Sequence, residues 1–256
     1  TRWTLSARYD LRRSQAGSLA FKTSVAQLGR TPTLEELFGN RGGVHGNRDA
    51  RPERVFTRDA GFVGAWGLRA GGVLKPSSLE AQLSAYRSDA DDLLVFLQNS
   101  AQTSVAQNIA AARLEGLELS VRAAWAAGLG ADLAWTRQWT KDLGQVAYWR
   151  GKELPGRPHD EISLGLSLER GPVRTFGELH AVSSFYLDRY NQTPVPARGL
   201  VDLGASCAFA RGTSDFVLEC RNVGDARAQD FGGYPLPGRS WALGIRFHVD
   251  RKAGLP

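Results

Sequence analysis

The sequence contains no methionine, only two cysteines and four histidines in 256 residues, and no apolar run long enough to form a spanning helix. A helical span needs about 18 or more consecutive apolar residues, so a helical membrane protein is excluded. A barrel is untouched by that absence, because its strands need only about five apolar residues each, on alternate positions. The histidines are His45, His159, His180 and His248, and no two of them stand at metal-ligand spacing. No Cys-x-x-Cys, Gly-x-Ser-x-Gly or Gly-rich phosphate loop occurs, so no local motif assembles a metal centre, a cofactor site or a catalytic site, and no enzyme is expected. Asp89, Asp91 and Asp92 suggest a calcium loop, but the glycine and the later glutamate of that motif are missing, and they read as the polar edge of a strand. Without methionine there is no initiator. Thr1-Arg2-Trp3-Thr4-Leu5 is already in strand alternation with no signal peptide before it, as expected of a chain entered in its middle.

Charge of one sign is also lacking. The 32 basic and 26 acidic residues, net +6, are interspersed along the chain, which reads as a solvated surface and excludes a nucleic-acid stripe.

What the chain has in abundance is alternation. In Glu161-Ile162-Ser163-Leu164-Gly165-Leu166-Ser167-Leu168-Glu169 every second residue is aliphatic. Val201, Leu203, Ala205, Cys207 and Phe209 repeat the pattern, as do Trp241, Leu243, Ile245, Phe247 and Val249. A period of two means extended strands with one oily and one wet face. Two architectures satisfy many such strands: a sandwich that buries the oily face, or a barrel that turns it to lipid and encloses water.

The cysteines test the register. Ala210-Arg211-Gly212-Thr213 reads as a two-residue hairpin turn. In that register Cys207 opposes Phe216 and Cys220 opposes Leu203, with both thiols on the oily side. They are offset by about 13 Å along the strand, whereas a disulfide needs Cα atoms within about 7 Å. Two free cysteines are therefore expected. The same register sets Asp202 opposite Arg221 on the polar side.

Candidate strands run near 3–12, 18–28, 54–67, 77–97, 105–124, 128–140, 159–170, 173–187, 199–210, 213–222 and 239–249. Short connections fall near 13–17, 126–128, 171–172 and 211–212, with 70–76 somewhat longer. Long ones span 29–53, 141–158, 188–198 and 223–238, with a shorter one at 98–104 on the same side. Every other connection of an up-and-down sheet lies at the same end, so one end carries tight turns and the other long loops. Outer-membrane barrels sort their loops this way, and a Greek-key sandwich has no reason to. Trp3, Trp66, Trp125, Trp135, Trp139, Trp149 and Trp241 fall mostly towards strand ends, as interfacial girdles require. Leu117, Leu119, Val121, Ala123 and Trp125 give an outward row free of charge.

Several segments then resemble one family. Arg30-Thr31-Pro32-Thr33-Leu34-Glu35-Glu36-Leu37-Phe38-Gly39, followed by Gly46-Asn47-Arg48-Asp49-Ala50-Arg51-Pro52-Glu53, is similar to a signature of TonB-dependent outer-membrane receptors. Ala85 to Leu94, the stretch Asn108 to Glu118, Leu154-Pro155-Gly156-Arg157-Pro158-His159 and the ending from Asn222 to Trp241 resemble later segments of that family in order and spacing. Ala50 stands where the family usually has leucine. Phe247 fits the terminal aromatic, with His248 to Pro256 following it.

The resemblance implies an all-β, antiparallel, up-and-down transmembrane barrel portion. About eleven strands of a roughly 22-stranded barrel would be present, and the plug domain and N-terminal strands would be absent. It implies a bacterial outer-membrane location and active uptake of a scarce nutrient, such as a ferric siderophore, cobalamin or another metal chelate. The partners it implies are outer-membrane lipid, the barrel assembly machinery and a TonB-type energising complex acting through the missing plug. Ligand-contact candidates lie in the long loops: Arg41, His45, Asn47, Tyr148, Trp149, Arg150, Arg189, Tyr190, Asn191, Gln229, Asp230 and Tyr234. Aromatic and Arg side chains suit flat, often anionic chelates. The alternative is a soluble or surface-attached β-rich binding protein without transport activity.

Overall fold

A computed structural model describes residues 2–41, 43–68, 76–98, 103–209, 213–231 and 234–247. In chain order the elements are β1 (Trp3–Ser14), β2 (Gly17–Arg30), α1 (Leu34–Phe38), β3 (Asn40–Arg41), β4 (Val44–His45), β5 (Glu53–Gly67), β6 (Ser78–Gln98), β7 (Ser104–Ala124) and β8 (Leu129–Asp142). They continue as β9 (Asp160–Arg170), β10 (Val173–Val182), β11 (Phe185–Tyr186), β12 (Pro194–Val195), β13 (Arg198–Phe209), β14 (Ser214–Arg221), β15 (Gln229–Phe231), β16 (Tyr234–Pro235) and β17 (Ser240–Phe247). Among the described residues no helix is long and apolar enough to cross a membrane.

Eleven strands form one path of hydrogen-bonded neighbours, β1-β2-β5-β6-β7-β8-β9-β10-β13-β14-β17, and every pair along it is antiparallel. This is the up-and-down meander that the sorted connection lengths and the family resemblance imply. The small pairs β3–β4, β11–β12 and β15–β16 sit in the long connections. At the opposite end the turns are tight. Gly128 (φ +82°) and Gly171 (φ +59°) close two of them in the left-handed region that favours glycine.

Register fixes the faces. Leu203 pairs with Cys220 and that with Trp241, Ala205 with Leu218 and Leu243, and Cys207 with Phe216 and Ile245. Both cysteines are free, Cys207 exposed and Cys220 buried. The expected turn at 210–212 lies outside the described residues. The ion pair expected opposite Asp202 does not form. The carboxylate of Asp202 accepts the backbone N–H of Asn222 at 2.7 Å instead, and Arg221 reaches Glu219 at 3.4 Å. The strand expected over 173–187 stops at Val182. Ser183 still donates its N–H to the carbonyl of Asp160 at 2.9 Å, but its hydroxyl takes the Asp160 N–H at 3.0 Å, and Phe185–Tyr186 pairs with Pro194–Val195 instead. The row from Leu117 to Ala123 lies on β7, and Trp125 falls just past the strand end.

Among the described residues no second layer covers the oily face. Leu243 is 80% exposed, Leu5 71%, Leu166 and Phe216 49% each. In water so many apolar side chains on one sheet face would be very unfavourable, at roughly 25 cal/mol per Å². In a bilayer they face their preferred solvent. The opposite, concave face carries Asp132, Ser167, Arg174, Glu178, Ser206 and Arg246 around one hollow, and Lys22, Asp59, Gln82, Ser84 and Glu118 around another. Packed cores are small and lie under the long connections. One gathers Ala90, Leu93, Ile109, Ala112 and Leu154, the other Val182, Phe185, Leu187 and Val195.

Candidate ligand-binding rim

The long connections fold into structured groups. The largest begins where β8 ends. Asp142, 2% exposed, accepts from Arg189 Nε at 3.0 Å and from its Nη2 on one oxygen, and from the Gly144 N–H at 2.8 Å on the other. The Arg189 guanidinium also lies 3.9 Å from the centre of the Trp149 ring, and Tyr190 meets the same ring edge-on at 6.1 Å. Asn191, at φ +57°, accepts the Glu153 N–H at 2.9 Å and donates to the Glu153 carbonyl at 3.1 Å. Glu153 in turn bonds His159 Nε2 at 2.9 Å. The Gly156 N–H reaches the Tyr186 carbonyl at 2.7 Å. Connection 143–159 is thereby fastened to connection 183–197 by side chains and backbone together.

Asp188 shapes the tip of that second connection. Burial alone would raise its pKa. The N–H groups of Thr193, Tyr190 and Gln192, at 2.6, 2.7 and 3.0 Å, outweigh this and hold it below the usual carboxylate range.

A second group continues round the rim. β12 packs against β15, and Arg198 forms an ion pair with Asp230. Asn222, 4% exposed, donates to the carbonyls of Ala226 at 3.0 Å and Pro237 at 3.1 Å and accepts the Ala226 N–H at 2.8 Å.

The third group is the connection before β5. Thr33 and Glu36 form a reciprocal capping box on α1. Arg30 grips Glu36 at 2.7 and 3.0 Å and Glu53 at 2.8 and 3.2 Å. The Arg30 hydrogen bonds, with Thr33 helping, hold the Glu36 carboxyl below its ordinary range despite burial, and the two carboxylates raise the Arg30 pKa. Asn108 staples the segment to β7, accepting the Arg51 N–H at 2.8 Å and donating to the carbonyls of Arg51 and Asp92 at 2.9 and 2.6 Å.

The sequence-derived candidates distribute over these groups. Trp149, Arg189, Tyr190 and Asn191 come together in the first, with exposed Tyr148 and Arg150 beside them. Gln229 and Asp230 belong to the second, and Tyr234 projects from it, 57% exposed. Arg41, His45 and Asn47 belong to the third. The Arg41 backbone pairs with Val44, and its side chain lies outside the described residues. His45 is exposed, and Asn47 accepts the Asp49 N–H at 2.9 Å. Arg189, Asn191 and Asp230 hold neighbouring chain in place, whereas Tyr148, Arg150, Tyr190, Tyr234 and His45 present surface. Sequence reasoning missed Asp142, Glu153 and Arg198. Their partners lie 47, 38 and 32 residues away, beyond any local pattern, and the Thr33-x-x-Glu36 box was the one such signal in reach.

An antiparallel meander with an uncovered apolar exterior, a charged concave face and structured loops gathered at one end defines part of the wall of a transmembrane β-barrel. The model of the TonB dependent receptor-like β-barrel family matches residues 2–223, and the chain belongs to that family. No curated relative matches. Among solved structures it is similar to the copper transporter OprC (TM-score 0.70, 17% identity, 95% of this chain, 39% of that one). It is also similar to the siderophore receptor PiuA from Acinetobacter baumannii (TM-score 0.68, 18% identity, 94% of this chain, 35% of that one). A third is a mutant ferric enterobactin receptor, PfeA, from Pseudomonas aeruginosa, in complex with enterobactin (TM-score 0.64, 15% identity, 95% of this chain, 40% of that one). At these identities the likeness is one of fold, and the chain spans well under half of each of these proteins. The family is one of transport receptors of the bacterial outer membrane, not of enzymes.

Proposed function

We propose that this chain is the C-terminal part of the barrel of an outer-membrane TonB-dependent receptor that takes up a metal chelate or vitamin, with ferric siderophores the leading class. The observation that carries the ligand class is the rim. Trp149, Arg189 and Tyr190 form a rigid aromatic–cationic cluster beside exposed Tyr148 and Arg150. Such a surface suits a broad, flat, anionic complex, through ring stacking and charge-assisted hydrogen bonds.

Strand parity supports the reading of a part. In an eleven-stranded meander the first and last strands run in the same direction, so β1 and β17 cannot close on each other as an antiparallel pair. Each backbone group left unpaired in hydrocarbon costs several kcal/mol. A complement with an odd number of strands closes the barrel. The reading places that complement, the plug and the segment that meets the TonB-type energising complex elsewhere in the intact receptor. Insertion would then rely on the barrel assembly machinery and surrounding lipid.

The test uses the intact receptor in detergent, with tryptophan fluorescence followed as ferric catecholates, ferric hydroxamates, cobalamin and cupric ion are added. Saturable quenching by one class, weakened about tenfold in a Tyr148→Ala/Arg150→Ala variant, supports the reading. A folded receptor that binds none of the four overturns it.

A further inference from the structure

His159 closes the connection that carries the rim cluster. Its carbonyl accepts the Gln138 N–H at 2.8 Å, one rung beyond the β8–β9 ladder. Its ring stands between two oxygens. Nδ1 lies 3.1 Å from the Gln138 carbonyl, and Nε2 lies 2.9 Å from the Glu153 carboxylate. A carbonyl and a carboxylate only accept. A neutral imidazole has one N–H, so either tautomer turns a nitrogen lone pair onto an oxygen. The imidazolium donates at both ends, and its bond to Glu153 is then charge-assisted on both sides.

Glu153 is the residue through which connection 143–159 meets connection 183–197. Asn191 engages its N–H and its carbonyl, and the next N–H, of Leu154, goes to the Thr140 hydroxyl at 3.0 Å. The His159 ring holds the Glu153 side chain from the β8 side. The two side chains are 37% and 33% exposed, so water can deliver and remove the proton. The other charged groups on the neighbouring elements are engaged elsewhere. Asp160 bonds Trp135 Nε1 at 3.1 Å and lies 3.8 Å from Arg137 Nε on β8, and Glu161 lies 3.8 Å from His180 Nε2 on β10. Asp142 holds Arg189, backbone N–H groups hold Asp188, and Arg157 forms no ion pair among the described residues.

We propose that His159 is a proton-dependent positioning residue of the rim. Protonated, it ties Glu153 to the end of β8 and so steadies the connection that bears Trp149. Neutral, it gives up one of the two bonds. Histidine is the side chain whose ordinary change of charge falls between about pH 5 and 8. The fastening is therefore complete on the acid side of that range and weakens as pH rises through it. The consequence for a guest, a firmer rim in mildly acid water than in alkaline, rests on the reading of the Trp149 cluster as the ligand site.

The test follows hydrogen exchange of the intact receptor in detergent at about pH 5.5 and about pH 8, each corrected for the intrinsic exchange rate. From the acid to the alkaline condition, wild-type protection across 143–159 and 187–197 should fall about fivefold, while the α1 segment keeps its own. Glu153→Gln separates a proton-dependent tie from a merely structural contact. Its carboxamide can donate to Nε2 while the neutral ring donates from Nδ1 to Gln138, so protection should be the same at both pH values. His159→Gln should also be flat, at the lower level. Wild-type protection that does not change with pH overturns the proposal, and so does a fall in Glu153→Gln equal to that of the wild type. The wild-type comparison stands even if a variant misfolds. A rim that follows pH in a receptor that binds none of the four probes above refutes the receptor reading alone. A receptor that binds a probe and exchanges alike at both pH values refutes only the role of His159.

Discussion

Strands β6 and β7 run 21 residues each, whereas β9 and β10 run 11 and 10, and β14 and β17 only eight. At about 3.3 Å per residue the tall strands reach roughly 70 Å and the low ones roughly 25–35 Å. A hydrocarbon core is about 30 Å thick. The tall side of the wall therefore continues beyond the membrane, and its exterior passes from apolar at Ala60, Ala85 and Leu117 to charged at Arg58, Arg87 and Glu115 along the same strands. The low side ends near the headgroups and hands over to connections that support one another. One sheet thus builds its long-loop end in two ways, by extension on one flank and by loop-on-loop fastening on the other.

The largest expected effect is on the fastened flank. Asp142→Ala leaves Arg189 buried without its partner, a loss of about 3–5 kcal/mol. Hydrogen exchange across 143–159 and 187–197 should rise sharply while 31–52 stays protected. Equal exchange in all three segments would mean that the two flanks are not independently built.

Next comes facing. Leu166→Arg puts a charge into the apolar band of the low side and costs about 2–4 kcal/mol, blocking assembly by heat-modifiable migration. Ser167→Arg, on the concave face, should assemble. On the tall side Phe56→Arg is at headgroup depth and should cost only about 0–1 kcal/mol. If Phe56→Arg and Leu166→Arg fail alike, the charged rows of β5–β8 lie inside the hydrocarbon and the contrast collapses.

The smallest effect is a pH dependence. The Glu36 carboxyl is lowered in the fold, so its contribution is fully present above the ordinary carboxylate value and is lost only as pH falls through the lower folded value. The α1 segment should keep its exchange protection down through about pH 4 and loosen below that. In Glu36→Gln the protection should already be reduced at neutral pH and be flat across the same range. Loosening of the wild-type segment well above pH 4 would show that Arg30 does not hold it.

Much of this architecture could be read from residue order. The alternation from Glu161 to Glu169 appears as β9, and the hairpin register that set Cys207 against Phe216 is the register found. Both are local, because a strand's faces follow from neighbours two residues apart. The rim was legible only as a set of loops. Nothing near Asp142 announces Arg189, since the pair is made by two connections that meet only once the sheet has brought their strand ends side by side. Arg221 shows the same limit. Its charge and position fitted Asp202, but the chain turns at Asn222, and a backbone N–H takes the acceptor first.

The fastening of the low flank also bears on how a ligand would be held. Trp149, Tyr190 and their neighbours are ordered by bonds that exist before anything arrives, from Asp142 and Glu153 on one connection to Arg189 and Asn191 on the next. A guest docking there has little chain to immobilise, so most of its contact energy appears as affinity instead of being consumed in ordering the host. If either connection moved to release such a guest, the other would be drawn with it through the same bonds.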